Sequence, residues 1–196
     1  MNDPRPTLRD AVAQAGKVVS ATSDADLGRP TPCDDFDVRT LLGHMDAVIR
    51  RITYVVDHGS VGDTPSIVDG FADGDRGTTW KSDVDALEQR LDDDSVLDKV
   101  LTLPFGTLPG RAAFATYVSE LTTHAWDLAS AIGRRDLLDD SLAVAGLATM
   151  KVGLPAEPRG GPIPFGPVVD VADDAPAYDQ LAGWVGRDPA WTPSAE

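Results

Sequence analysis

The sequence contains a single cysteine, Cys33, among its 196 residues. An internal disulfide is therefore impossible, and a cytoplasmic setting is expected. The sequence also lacks an apolar run approaching the roughly 20 residues that a membrane-spanning helix needs. Its N-terminus has no basic-then-apolar signal pattern, so export by that route is not expected. These absences predict a cytoplasmic protein without a membrane partner.

Basic residues are scarce: 17 lysines and arginines face 32 aspartates and glutamates, which gives a net charge of −15. A field of that sign repels phosphate backbones, so no nucleic-acid partner is expected. The acidic runs at 92–94 and 139–140 are expected on solvated helix ends. With 42% hydrophobic and 25% charged residues, the composition is that of an ordinary globular protein. The length suits one domain over residues 1–196.

Apolar residues recur at helical spacing, which predicts an all-α fold with little strand. The predicted helices cover residues 7–22, 37–57, 82–91, 111–132, 141–152 and 176–185. Thr7 is expected to cap the first helix, and Asp37 the second, between the staple residues Phe36 and Leu41. Residues 59–79 predict a long loop. Residues 96–103 are ambiguous between helix and strand. Residues 154–176 predict an irregular Gly/Pro-rich segment with a short extended piece at 168–171. A helical bundle of this kind can hold a ligand between facing helices.

The three histidines carry the strongest chemical signal. His44 lies at the edge of the second helix's apolar face, and His124 follows Glu120 by four residues, which places that pair on one helix face. Two imidazoles and a carboxylate form a complete catalytic-type zinc set with an open fourth position. The same spacing also suits an ordinary side-chain contact beside a core histidine, so both interpretations stay open. His58 has the position of a helix C-terminal cap.

Three further residues, Asp127, Tyr117 and Cys33, each have two or more interpretations. Asp127, one turn beyond His124, could accept a hydrogen bond from a ligating histidine or be an exposed helix acid. Tyr117, one turn before Glu120, could line the cleft or pack in the core. Cys33 could be a fourth ligand, a redox thiol or a small buried hydrophobe. Trp126 is expected to pack.

Two segments resemble a known family. Residues 31–45 (TPCDDFDVRTLLGHM) resemble the second-helix signature of the DinB-like metal-binding bundles, and residues 120–129 (ELTTHAWDLA) resemble their second metal motif. The sequence is most similar to the branch that includes the N-terminal domain of mycothiol-dependent maleylpyruvate isomerase. Residues 103–106 (LPFG) and 186–191 (GRDPAW) resemble a stand-alone subgroup of that branch. The similarity extends over nearly the whole chain.

This resemblance implies a DinB-like four-helix bundle with extra short helices. It also implies a divalent metal, zinc first with nickel as the alternative, held by His44, Glu120 and His124. Asp127 and Tyr117 would then lie just outside the ligands. The implied cosubstrate is mycothiol, a low-molecular-mass thiol that would attack a small electrophile in a transferase or isomerase reaction once the metal has lowered its pKa.

Two other functions stay open at this stage. One is a non-enzymatic metal-binding or sensing module, and the other is a bundle that binds a small apolar ligand without metal. The isomerase carries a second domain after its bundle, whereas the residues after His124 predict one clear helix and a Gly/Pro-rich tail. The complete isomerase reaction is therefore not expected. The oligomeric state, a homodimer included, also stays open.

Overall fold

Helices make up most of the fold in the computed structural model, which describes residues 3–160, 163 and 165–193. They are α1 (Arg5–Ala21), α2 (Val38–His58), α3 (Arg76–Leu91), α4 (Gly110–Ala131), α5 (Asp140–Gly153) and α6 (Ala177–Trp184). Short 3-10 turns cover Asp24–Asp26, Phe71–Asp73, Asp94–Leu97 and Arg135–Leu137. Strands β1 (Val100–Leu103) and β2 (Gly106–Pro109) pair as one antiparallel hairpin. The prediction of a mostly helical fold is thus confirmed.

Helix α2 has the boundaries that its capping residues predict. The side chain of Asp37 accepts a hydrogen bond from the Thr40 backbone N–H at 2.8 Å. At the other end Gly59 adopts a left-handed conformation with φ of 78°, and its N–H donates to the carbonyl of Val55. Both ends of the helix are therefore fixed locally, and this sets the register that turns His44 inward.

The starts of α1 and α3 differ from the predicted ones. Helix α1 begins at Arg5 after Pro4, without a side-chain cap, so the prediction of Thr7 as its cap was wrong. Pro6 is tolerated in the first turn because the missing N–H has no intrahelical partner there. Helix α3 begins at Arg76 instead of Ser82, and Asp75 caps it by accepting from the Thr78 N–H at 3.0 Å.

The ambiguous and irregular segments resolve as follows. Residues 96–103 end a 3-10 turn and then form β1. The described part of 154–176 contains no helix or named strand, as predicted; residues 161, 162 and 164 lie outside the described residues. The piece at 168–171 is not a strand, although the Val169 N–H donates to the Gly183 carbonyl at 2.9 Å.

The core lies between α1, α2, α3 and α4. Helix α4 packs against α1, α2 and α5, and α2 packs against α3. A second cluster joins Trp126 of α4 to Ala143 of α5 and to Tyr178 and Leu181 of α6. Helices α2 and α4, which carry the candidate ligands, are thus neighbours, and α6 packs chiefly against α5. None of the helices in the described part of the chain has the length and apolar character that a bilayer crossing requires.

Gly110, the first residue of α4, is expected to be intolerant of any side chain. A methyl group there would overlap the backbone carbonyl of Val96, which belongs to a fixed turn. We expect Gly110→Ala to lower the free energy of unfolding by about 1–3 kcal/mol, measured by urea denaturation. Gly77→Ala in the first turn of α3 is the matched control, because the nearest atom to its methyl group would be 3.7 Å away. Equal stabilities of the two variants would contradict this account.

Candidate metal centre

The side chains of His44 and His124 meet between α2 and α4. Their ring centroids are 4.7 Å apart, with the rings nearly perpendicular at 79°. Phe36, which precedes the α2 cap, lies against both rings, with centroid distances of 5.0 Å to His44 and 6.2 Å to His124. Phe36 therefore forms an apolar wall beside the pair.

Glu120 completes a cluster with the two histidines. Its Oε1 lies 3.6 Å from His44 Nε2 and 3.5 Å from Arg51 Nη1. Burial opposes ionisation of Glu120, but the nearby imidazole of His44, aided by His124 and Arg51, lowers its pKa below the ordinary value. The carboxylate is therefore anionic at neutral pH. The structure thus brings His44, Glu120 and His124 into one cluster.

The hydrogen bond of His44 fixes which ring nitrogen carries the proton. Nδ1 lies 2.8 Å from the backbone carbonyl oxygen of Ser66. Because a carbonyl oxygen only accepts, Nδ1 must donate, and in the neutral form of the ring Nε2 then has a lone pair. Among the residues that the structure describes, this buried Nε2 has no hydrogen-bond partner. A buried acceptor without a donor is costly unless a ligand supplies the missing contact.

His124 has the same arrangement through a different partner. Its Nδ1 lies 3.0 Å from Asp127 Oδ2 and donates to that carboxylate, so its Nε2 also has a lone pair. Burial lowers the pKa of His124, although Asp127 acts in the opposite direction. Ligating histidines commonly hold their second nitrogen in this way, on a carbonyl or a carboxylate. Two neutral imidazoles and one carboxylate are donors that suit a divalent cation.

The cluster lies within a stretch of the chain that matches a known protein family. Residues 8–129 match the mycothiol maleylpyruvate isomerase N-terminal domain family. The chain belongs to this family. The match includes α2 and almost all of α4, and with them His44, Glu120 and His124, and it confirms the resemblance to that domain.

Relatives occur in two strains of Mycobacterium tuberculosis. Each is named as an uncharacterized protein and is 27% identical to this chain over 161 residues, which cover 82% of the chain and 85% of the relative. No solved structure matches the chain.

Asp127, inside the family domain, is part of the core. The residue is fully buried, so the alternative of an exposed helix acid is excluded. Arg187 donates to both of its oxygens, from Nε at 3.2 Å and from Nη2 at 3.3 Å. Burial opposes ionisation of Asp127, but His124 and Arg187 together hold its pKa below the ordinary value. Asp127 therefore links His124 to Arg187, which lies beyond the residues that match the family.

Tyr117 lies one turn before Glu120 in α4 and is 3% exposed. Its hydroxyl is buried without a hydrogen-bond partner among the described residues. Burial raises the pKa of Tyr117, with Glu120 acting in the same direction and Arg51 against it. The hydroxyl thus remains a proton donor near Glu120, in addition to packing in the core.

Cys33 belongs to a second group near His124. In the part of the chain that the structure describes, Cys33, His124 and Asp127 are the group of three whose donor atoms all lie within 4.8 Å of one another. The donor atoms of His44, Glu120 and His124 do not all meet that distance. Burial raises the pKa of the Cys33 thiol to about 11. Both oxygens of Asp127 already accept from Arg187, whose positive charge would repel a cation. The chemistry of the donors therefore favours a metal at Nε2 of His124, together with His44 and Glu120, over a metal held by Cys33 and Asp127.

His58 is distant from this cluster. It is the last residue of α2, its Nδ1 lies 2.9 Å from the Tyr54 carbonyl, and its ring stacks on Tyr54 at 3.9 Å. Such a contact is typical of a histidine at a helix C-terminus.

Two residues of the site escaped the sequence prediction. Arg51 follows His44 by seven residues, which is two helical turns, so the spacing alone could have placed it on the same face. Arg187 lies in the GRDPAW segment, where nothing local indicates a contact with α4.

Proposed function

We propose that this chain binds a divalent metal through His44 Nε2, Glu120 and His124 Nε2, and that it uses the metal in chemistry on a low-molecular-mass thiol. The observation that carries this proposal is the buried Nε2 of His44, which has no hydrogen-bond partner among the described residues and lies 3.6 Å from the Glu120 carboxylate. Membership of the mycothiol maleylpyruvate isomerase N-terminal domain family supports mycothiol as the thiol.

The donor set suits zinc first and nickel second, since both accept imidazole nitrogen and carboxylate oxygen. When bound, such an ion supplies a Lewis acid that lowers the pKa of a thiol at its open position. We further propose that α1 to α4 form the DinB-like four-helix bundle and that α5 and α6 complete a single domain over residues 1–196. In this arrangement α2 and α4 contribute all three ligands from facing helices.

The chain's own residues have distinct tasks in this proposal. The Ser66 carbonyl and the Asp127 carboxylate hold the protons on the two Nδ1 atoms, so that both Nε2 atoms remain donors. Phe36 keeps water from one side of the rings. Arg51 lies at the Glu120 side, where its charge favours an anionic reactant. A transferase or isomerase reaction between a thiol and a small electrophile is the function that this arrangement supports best.

We propose a small molecule as the partner, because the site is suited to a thiol and a small electrophile. We propose the cytoplasm as the location, because the sequence contains a single cysteine. The net charge of −15 disfavours nucleic acid and anionic membrane surfaces alike.

Cobalt substitution tests the thiol proposal directly. We expect the purified protein to take up about one Co²⁺ per chain, and added mycothiol to produce a sulfur-to-cobalt charge-transfer band, because an open coordination position accepts a soft sulfur donor. S-methylated mycothiol is the matched control, since it cannot ionise, and His124→Ala should remove the band.

Two results would contradict different parts of the proposal. Folded protein that takes up neither zinc, nickel nor cobalt would exclude the metal site. Cobalt protein whose spectrum responds to imidazole or carboxylate but not to millimolar thiol would support a non-enzymatic metal-binding or sensing module instead.

A further inference from the structure

We propose that Arg187 is a positioning residue of the metal centre: it fixes the ring of His124 through Asp127, so that the segment following α6 completes a site otherwise built within the family domain. This inference rests on the proposed metal function. It concerns residues beyond 129, where the match to the family ends.

The contacts form a continuous chain from the histidine to the C-terminal segment. His124 Nδ1 donates to Asp127 Oδ2 at 3.0 Å. Arg187 donates to Oδ1 of the same carboxylate from Nε at 3.2 Å and to Oδ2 from Nη2 at 3.3 Å. The Asp127 side chain is fully buried and that of Arg187 is 13% exposed. A side chain so deeply buried does not act as an ordinary surface ion pair.

The geometry of the guanidinium explains why an arginine is needed. Its planar fork engages both carboxylate oxygens at once, which holds the carboxylate in one plane. That plane keeps Oδ2 directed at His124 Nδ1, and the hydrogen bond in turn keeps the proton on Nδ1. Without the fork, Asp127 could rotate, and His124 could carry its proton on Nε2, the nitrogen that must be free to bind a metal.

The segment that carries Arg187 is anchored at several points. Gly186 ends α6 with φ of 81°, and a methyl group there would lie 2.7 Å from the backbone of Gly166. The Arg187 N–H donates to the Ala182 carbonyl at 2.8 Å. Further along, Arg135 donates to the carbonyls of Pro189 and Trp191 at 3.2 and 2.9 Å.

Arg135 also ties this segment to α4. Its guanidinium carbon lies 4.7 Å from the ring centroid of Trp126, the residue before Asp127, and its Nε donates to Ser130 Oγ at 2.7 Å. The segment is thereby held on the helix that carries Asp127, and Arg187 reaches the carboxylate from a defined position.

The experiment compares Arg187→Met and Arg187→Lys with the wild-type chain in two measurements. One is a zinc competition titration, and the other is ¹⁵N NMR of the histidine rings in metal-free protein, which shows which nitrogen is protonated. We expect Arg187→Met to weaken zinc binding by about 10- to 100-fold, the usual effect of losing an outer-shell partner. It should also move the His124 proton partly to Nε2. Arg187→Lys should show the same changes to a smaller extent, because an ammonium keeps the charge but not the fork.

Two control variants separate this role from general effects. Arg134→Met removes an exposed pair with Asp136, whose contacts of 2.9 and 3.0 Å have the same fork geometry but touch no histidine. It should leave both measurements unchanged. Arg135→Met loosens the segment while keeping Arg187, and it should weaken zinc binding less than Arg187→Met does. In an Asp127→Asn background, Arg187→Met should add little, since the two residues act in series.

The outcomes distinguish this inference from the proposed function. Wild-type zinc affinity and an unchanged His124 proton in folded Arg187→Met would overturn the role of Arg187 and leave the metal site intact. An equal loss in Arg135→Met would overturn it as well, because docking of the segment would then be sufficient. If Arg187→Met does not fold, wild-type behaviour of Arg187→Lys overturns the inference. If the wild-type chain binds no zinc, the proposed function fails and the inference fails with it, while the NMR comparison still shows whether Arg187 sets the His124 proton.

Discussion

Replacing His44, Glu120 or His124 singly by alanine is expected to abolish stoichiometric zinc binding. Each change leaves two ligands of a three-ligand site, and two ligands hold the ion only weakly. The loss of affinity should exceed the 10- to 100-fold that outer-shell changes typically cause. Metal content after dialysis and a competition titration with a chromophoric chelator would measure it.

Control variants match each ligand type. His58→Ala removes an imidazole about 21 Å further along the same helix, and Glu88→Ala removes a carboxylate that pairs with Arg9 at the surface. Both should retain one zinc per chain. Glu120→Gln keeps the shape of the side chain but not its charge, and it should fall close to Glu120→Ala because the ion needs an anionic oxygen.

The rival group of Cys33, His124 and Asp127 makes the opposite prediction. If zinc were bound there, Cys33→Ser would strip the metal and His44→Ala would retain it. That pair of results would reverse our assignment, whereas loss in His44→Ala with retention in Cys33→Ser supports it.

Features of the fold that depend on neighbouring residues were predictable from the sequence. Asp37, Gly59 and the apolar spacing between them determine α2 locally, and His44 follows from that register. The spacing of Glu120 and His124 likewise places both on one face of α4. Recognition of the family added the pairing of these two helices, which no local pattern contains.

Other features could not be predicted because they depend on distant contacts. The first turn of α3 exposes polar residues, and its first buried residue is Trp80, so no apolar periodicity indicates the start. The partner of His44 is a backbone carbonyl 22 residues away, and any residue type offers one. Arg187 is 60 residues from Asp127, and their contact forms only once the segment after α6 lies against α4. The local spacing thus predicts the candidate ligands, whereas the groups that orient them depend on contacts between distant parts of the chain.

Asp46→Asn is expected to stabilise the protein above neutral pH. Asp46 is fully buried in α2, two residues beyond His44 and on another face. Arg50 Nε lies 2.9 Å from Oδ2 of Asp46 and 2.9 Å from Oδ2 of Asp83 in α3, so one cation serves two carboxylates. Burial, opposed by Arg50 and reinforced by Asp83, raises the pKa of Asp46 from 3.8 to about 7.

The sign of the pH effect follows from that direction. Between about pH 4 and pH 7 the folded state keeps a proton that the unfolded chain has released, so the stability associated with that proton is lost as the pH rises through this window. Above it, the wild-type protein carries a costly buried charge that an amide lacks. One pKa unit corresponds to about 1.4 kcal/mol. Since Arg50 lies beside the carboxylate and offsets part of this cost, we expect Asp46→Asn to gain about 2–4 kcal/mol at pH 8 and little at pH 4.

Urea denaturation of both proteins at pH 4, 6 and 8 would measure this gain. Asp85→Asn is the matched control, because Asp85 is exposed and pairs with Lys81 one turn away on the surface of α3. Such surface pairs contribute about 0–1 kcal/mol, so its effect should be small at every pH. If Asp46→Asn were instead less stable than the wild type at pH 8, the ion pair of Asp46 with Arg50 would outweigh the cost of burying the charge. Arg50 would then stabilise the contact between α2 and α3 by pairing with Asp46 and Asp83 together.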